Sequence, residues 1–145
     1  MALLDIGCTH KQDGVGLNLS VKEIKIDSWL NLMPGGPGSF HISGEIKLRN
    51  EGSYELKDLS LSIMTVKQNN KELYSFSPTF ISKIEFENDT IPSETEKVFL
   101  YYNQLGMEIN QNLDTETSVK IEMLFRNDDD SWLYEINDVK VNKVY

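Results

Sequence analysis

Few residues in this sequence have the types and spacing that chemistry needs. The two histidines are His10, near the start, and His41, in the polar phase of an alternating stretch. Neither has a Ser or Cys at a motif spacing, and no Gly-x-Ser-x-Gly turn presents a serine nucleophile. Cys8 and His10 stand close together, in a stretch with no regular element to preorganise them. Acidic residues abound, and carboxylates on solvated strand faces are ordinary. The expectation is a non-catalytic chain without a cofactor.

Oxygen ligands for a metal come next. Asp128, Asp129 and Asp130 share one turn after Asn127, and Glu85, Glu87 and Asp89 cluster on another. Calcium takes such oxygens from loops, so the first group is a candidate calcium site. The EF-hand pattern is absent, and one Cys with two His makes no tetrahedral zinc set.

The run Pro34-Gly35-Gly36-Pro37-Gly38 excludes regular structure. It lacks the Lys-Ser/Thr follower of a phosphate loop and leads into a strand, so no helix N-terminus receives an anion. It reads as a flexible inter-strand loop or, more sharply, as a binding loop. Trp29, Leu30, Leu32 and Met33 precede it and would form an apolar lip around Gly35 and Gly36, and exposed apolar clusters mark interaction sites. Tyr101, Tyr102, Tyr134, Tyr145 and Trp132 offer an alternative, a row of aromatics stacking on sugar rings. Asn18-Leu19-Ser20 and Asn88-Asp89-Thr90 match the glycosylation sequon.

The elements that would position these residues are strands. Phe40, Ile42, Ile46 and Leu48 share one phase with Gly44, and His41, Ser43, Glu45, Lys47 and Arg49 share the other. Leu59, Leu61, Ile63 and Thr65 repeat the pattern after an Asn50-Glu51-Gly52-Ser53 turn. Leu17 to Ile26 reads as a first strand with a bulge or a switch between sheets at Lys22-Glu23, and Tyr134 to Val141 breaks phase at Asn137-Asp138, a bend at the matching level. Gln68-Asn69-Asn70-Lys71 is a hairpin turn, with Leu73, Tyr74 and Phe76 on the return strand. Pro78 precedes a strand over 80–87 with Ile84 and Phe86 inward. Asn103 to Asp114 is a crossover with room for a short helical turn, and Val119, Ile121, Met123 and Phe125 alternate cleanly. About eight short strands with turns between them predict an all-β, immunoglobulin-like sandwich of two antiparallel sheets. Its core strands fall at about 40–49, 58–67, 97–102 and 117–126. The domain runs over 17–145 and 1–16 is a flexible N-terminal arm. The arm and the last strand, ending Val144-Tyr145, are the expected edges for strand addition.

Composition narrows the partners. The 145 residues suit one domain with a real core, and no apolar run approaches the roughly 18 residues of a membrane-spanning helix. The net charge of −9 repels phosphate backbones and anionic lipid, arguing against nucleic acid and direct membrane binding. Arg49 and Arg126 are the only arginines, which weakens bidentate phosphate recognition further. With Cys8 alone there is no intramolecular disulfide.

Cys8 follows Gly7 and precedes the polar stretch Thr9-His10-Lys11-Gln12-Asp13-Gly14. That is the look of a lipidated cysteine on a polar spacer, although Asp5 stands where an aliphatic residue is expected. If Met1–Gly7 is the remnant of a leader, a lipid-anchored envelope protein is expected. If Met1 is the natural start, an unmodified cytoplasmic chain is expected. ISGEIKLRNEG, LSIMTVKQNNKELY and IPSETEKVFLYY, within residues 40–102, resemble the layout of immunoglobulin-like domains on bacterial envelope lipoproteins. The resemblance implies a non-catalytic binding or structural module acting by protein–protein contact, with no catalytic residues to carry over.

Overall fold

The structure is a computed structural model and describes residues 8–12, 17–84, 88–128 and 130–145. Its strands are β1 (Cys8–Gln12), β2 (Leu19–Asn31), β3 (Ser39–Asn50), β4 (Ser60–Gln68), β5 (Lys71–Phe76), β6 (Thr79–Ser82), β7 (Glu96–Tyr102), β8 (Val119–Arg126), β9 (Ser131–Val139) and β10 (Val141–Val144). No helix occurs among the described residues, so the 103–114 crossover holds no helical turn. One sheet has the order β10-β2-β3-β7-β6 and the other β9-β8-β4-β5, with β1 along the free edge of β9. Neighbours pair antiparallel except β10 and β2, which run parallel. The sequence folds as a β-sandwich because alternation gives each strand one apolar face, and two such faces bury each other.

The core is the set of inward phases. Phe40, Ile42, Ile46 and Leu48 from β3 face Val119, Ile121, Met123 and Phe125 from β8, all sealed from solvent. Aromatic contacts join the sheets. Phe80 of β6 stacks on Phe99 of β7 at 4.5 Å and meets Phe125 of β8 edge-on at 5.8 Å. Trp132 continues the row, 5.7 Å from Phe125 and 5.6 Å from Tyr134. Trp132, Tyr134 and Tyr101 are therefore core residues, and no sugar-stacking row forms from them.

Both expected phase breaks are bulges. The register shifts between Val21 and Glu23 in β2, and between Ile136 and Val139 in β9, where Asp138 has φ 58°. After the second bulge the chain leaves one sheet at Lys140 and joins the other as β10. Ser28 of β2 is buried at this crossing and donates to the Lys140 carbonyl at 2.9 Å. The Asn69-Asn70 hairpin turn has φ 53° and 63°, as a type I′ turn requires.

Four further expectations differ from the structure. Ile63 is exposed rather than inward, because a further irregularity between Leu61 and Ile63 hands the inward phase to Met64 and Val66. Ile84 is exposed because β6 stops at Ser82; Phe86 lies outside the described residues. The first strand does not end near Ile26 but runs on to Asn31, carrying Trp29 and Leu30 into regular structure. Cys8–Gln12, read as part of a flexible arm, pairs as an edge strand with Trp132–Ile136.

Candidate functional site

The β2–β3 loop and the long β7–β8 connection meet at one end of the sandwich. The first is shaped by its glycines. Gly35 and Gly38 have φ 104° and 79°, the left-handed region that disfavours a side chain. Gly38 also permits close approach, since a Cβ there would lie 2.9 Å from Ile109 Cδ1 and 3.1 Å from the Asn31 carbonyl. Asn31 Oδ1 accepts from the Met33 amide at 3.1 Å and starts the turn.

The second segment is irregular but pinned on both sides. The Phe40 amide donates to the Met107 carbonyl at 2.7 Å and the Met107 amide returns a bond at 3.0 Å. Asn103 imitates a strand neighbour: its Oδ1 accepts from the Ile42 amide at 2.8 Å, and its Nδ2 donates to the Phe40 and Leu105 carbonyls. From the other sheet, the Tyr74 hydroxyl donates to the Glu108 carbonyl at 2.9 Å and accepts from the Asn110 amide at 2.7 Å. Burial, reinforced by the nearby Glu108 carboxylate and opposed by the Asn110 amide, raises the Tyr74 pKa and keeps the donor protonated. These bonds fix the far wall in advance of any ligand.

Between the segments lies a cleft of about 840 Å³, walled by Met33, Pro34 and Pro37 on one side and Met107, Glu108 and Ile109 on the other. A smaller hollow of about 370 Å³ shares Met107 and is lined also by Phe76 and Leu105. Met33 is 53% exposed and Leu105 81%. At the same end, Lys143 of β10 has its ammonium 2.8 Å from Glu116. Its hydrogen bond lowers the Glu116 pKa, and the carboxylate raises that of Lys143.

The expected lip is only partly at this site. Met33, Gly35 and Gly36 are exposed, Leu32 is half-buried, and Met33 and Gly36 line the cleft. Leu30 is a correction: at 2% exposure it belongs to the core, because β2 continues through it. Trp29 points to the outer sheet face instead and stacks on His41, with ring centres 5.1 Å apart.

One pair escaped the sequence reading. Ser39 Oγ and His41 Nε2 are 2.7 Å apart, on the same face of β3 at the rim of the cleft. The available signal was the i, i+2 spacing within an alternating strand, which puts both side chains on one face. Gly106 packs against them; a Cβ there would be 2.7 Å from both His41 Cε1 and Ser39 Cβ. No carboxylate among the described residues bonds His41, so the third group that orients a catalytic histidine is not supplied by them.

The other candidates lie elsewhere. Asp128 and Asp130 sit on the β8–β9 turn, which is closed by the Asp130 amide on Asn127 Oδ1 at 2.9 Å. Asp129, Glu85 and Glu87 lie outside the described residues. No group of three or more His, Cys, Asp or Glu able to hold a metal occurs among the described residues. Cys8 is placed by its backbone alone, opposite Ile136. Tyr145 is exposed and Tyr102 half-buried. No family model matches the chain, and no curated protein or solved structure matches it either.

Proposed function

We propose that this chain is a non-catalytic, immunoglobulin-like binding module that acts by protein–protein contact through the loop end around Met33 and Met107. The observation that carries the reading is the pinned cleft with apolar side chains on both walls and with Met33 and Leu105 standing exposed at it. Large apolar side chains held in solvent by a rigid frame lower the ordering cost of association, and methionine is enriched at interfaces. The strand order supports the immunoglobulin-like part. Taking β2, β3, β4, β5, β6, β7, β8 and β9 as A, B, C, C′, D, E, F and G gives the sheets ABED and GFCC′. The Ser39–His41 bond is read as packing that fixes the cleft rim.

Site-specific photo-crosslinking tests the contact surface. A photo-crosslinking residue replacing Met33 is expected to capture a defined partner in cells. The same residue replacing Tyr54, exposed at the opposite end of β3, is expected not to capture it. Leu105→Asp should weaken association by about tenfold, the loss of one interface anchor. Equal capture from both positions, with no effect of Leu105→Asp, would remove this end as the contact surface.

The proposed location is a bacterial envelope with Cys8 as a lipid anchor, and its support is the Gly7-Cys8 pair with the polar residues that follow. Because Cys8–Gln12 pairs along β9, such an anchor would hold the β1 edge close to its membrane rather than at the end of a free spacer. Intact mass of the protein made from its native gene, upstream sequence included, is expected to show a lipid adduct on this cysteine. An unmodified thiol discards the anchor.

A further inference from the structure

The cleft end is unusual in its charge. The stretches 26–46, 72–82 and 98–119, which supply the cleft and its neighbouring hollows, contain no Lys or Arg. Lys67 and Lys120 line a separate hollow at the β4–β5 turn, and the Lys143 ammonium is taken by Glu116. Glu108 alone puts a carboxylate on the cleft wall, between the apolar Met107 and Ile109. It is exposed, and no ion pair is formed by it among the described residues. Its backbone is held by Tyr74, so the carboxylate sits on a fixed wall rather than on a wandering loop. The whole chain, at −9, adds a long-range field of the same sign.

We propose that this cleft takes an extended segment of a partner protein in which a Lys or Arg is flanked by apolar side chains. The basic group meets Glu108, and the apolar neighbours rest on Met33, Pro34 and Met107. The inference rests on the protein-contact reading above and adds the chemistry of the partner. Three features argue for it together. Both walls carry apolar side chains, Met33, Pro34 and Pro37 opposite Met107 and Ile109, which a simple cation would not use. The cleft lining contains one carboxylate and no cation, so an acidic segment would meet only repulsion while a basic one gains a partner. Finally, the walls are preformed, so a flexible segment bears most of the ordering cost itself.

The test is a random-peptide phage library panned on the full chain, followed by NMR mapping of the enriched peptides on 15N-labelled protein. The expected consensus has Lys or Arg between apolar residues, with shifts confined to 31–39 and 103–112. Glu108→Lys is expected to weaken these peptides by about tenfold, the loss of an exposed ion pair plus like-charge repulsion. Glu108→Gln should weaken them less, and both variants should unfold at the wild-type temperature because Glu108 is exposed. Affinity should also fall as salt rises. A neutral or acidic consensus mapping to the cleft, or one indifferent to Glu108→Lys, overturns the basic-segment inference and leaves the contact surface standing. Peptides that map elsewhere, or no enrichment at all, overturn both.

Discussion

Gly44→Ala is expected to destabilise the fold by about 3 kcal/mol or more, the upper range for overpacking a tight core. The sign is the informative part. Glycine inside a strand ordinarily weakens it by roughly 0.5–1 kcal/mol against alanine, so the generic expectation for this change is a gain. Here the space is taken. Gly44 lies in the inward phase of β3, paired with Ile26 on one side and Tyr101 on the other. The buried Tyr101 side chain passes beneath it and donates to the Lys25 carbonyl of β2 at 2.7 Å. A Cβ at position 44 would sit 2.0 Å from that carbonyl oxygen and 2.3 Å from the Tyr101 hydroxyl. One of the two is backbone, so no rotamer change relieves the clash. Burial pushes the Tyr101 hydroxyl far above the usual phenol range, which keeps it a donor. Urea unfolding followed by tryptophan fluorescence should show a lowered midpoint with an unchanged slope, and melting should fall by about 10 °C. Tyr101→Phe removes only the hydroxyl and should cost about 1 kcal/mol. In the double variant the Lys25 carbonyl still blocks the Cβ, so stability should not return. A midpoint equal to wild type for Gly44→Ala would refute the packing described.

Much of this architecture is legible in the sequence, and the illegible parts have physical causes. Val119, Ile121, Met123 and Phe125 alternate without interruption, and all four are buried. Alternation fails as a guide where one residue is inserted. The irregularity after Leu61 exposes Ile63 and buries Met64, although both are apolar. It also fails where a buried position is polar. The inward phase of β2 runs Ile24, Ile26, Ser28, Leu30, and the serine disguises it because its partner, the Lys140 carbonyl, is 112 residues away. That one residue made Leu30 look like part of a loop. The candidate site divides in the same way. Met33 stands out as an apolar residue beside a Pro/Gly run. The opposing wall at Met107–Ile109 has no period, and its shape comes from bonds made by Asn103 and Tyr74 to residues far along the chain. Ser39 and His41 share a strand face by their i, i+2 spacing, a pairing that the alternation alone does not single out, and Gly106, which packs them together, comes from a connection with no period.

The other large effect is expected at Asn50, at the end of the sandwich opposite the cleft. The motif Asn50-Glu51-Gly52 reads as turn chemistry, and the Asn50 side chain does accept from the Gly52 amide at 2.9 Å. It does more than cap a turn. Asn50 is 3% exposed, and its Nδ2 donates to both the Tyr54 and Ile91 carbonyls, each at 2.9 Å. The Asn50 backbone meanwhile bonds Thr95 and Glu94, so one residue ties the β3–β4 connection to the turn before β7. Asn50→Ala orphans the Gly52 amide and the Tyr54 carbonyl and should cost about 3 kcal/mol, roughly 1 kcal/mol for each of three bonds. Asn50→Asp separates the role of the donor from that of the acceptor. An ionised carboxylate keeps the bond from Gly52 but turns an oxygen on two carbonyls, so the folded state favours its protonated form. The folded pKa of the introduced carboxyl then lies above its unfolded value, roughly 4. Stability held below the unfolded pKa is therefore lost as pH rises through the folded one. Measured as a difference from wild type by denaturant unfolding at several pH values, the deficit of Asn50→Asp should grow from acid toward neutral pH and then level. That of Asn50→Ala should stay constant. If the two deficits run parallel across this range, the amide is not donating to Tyr54 and Ile91, and the link between the two loops must come from the backbone bonds alone.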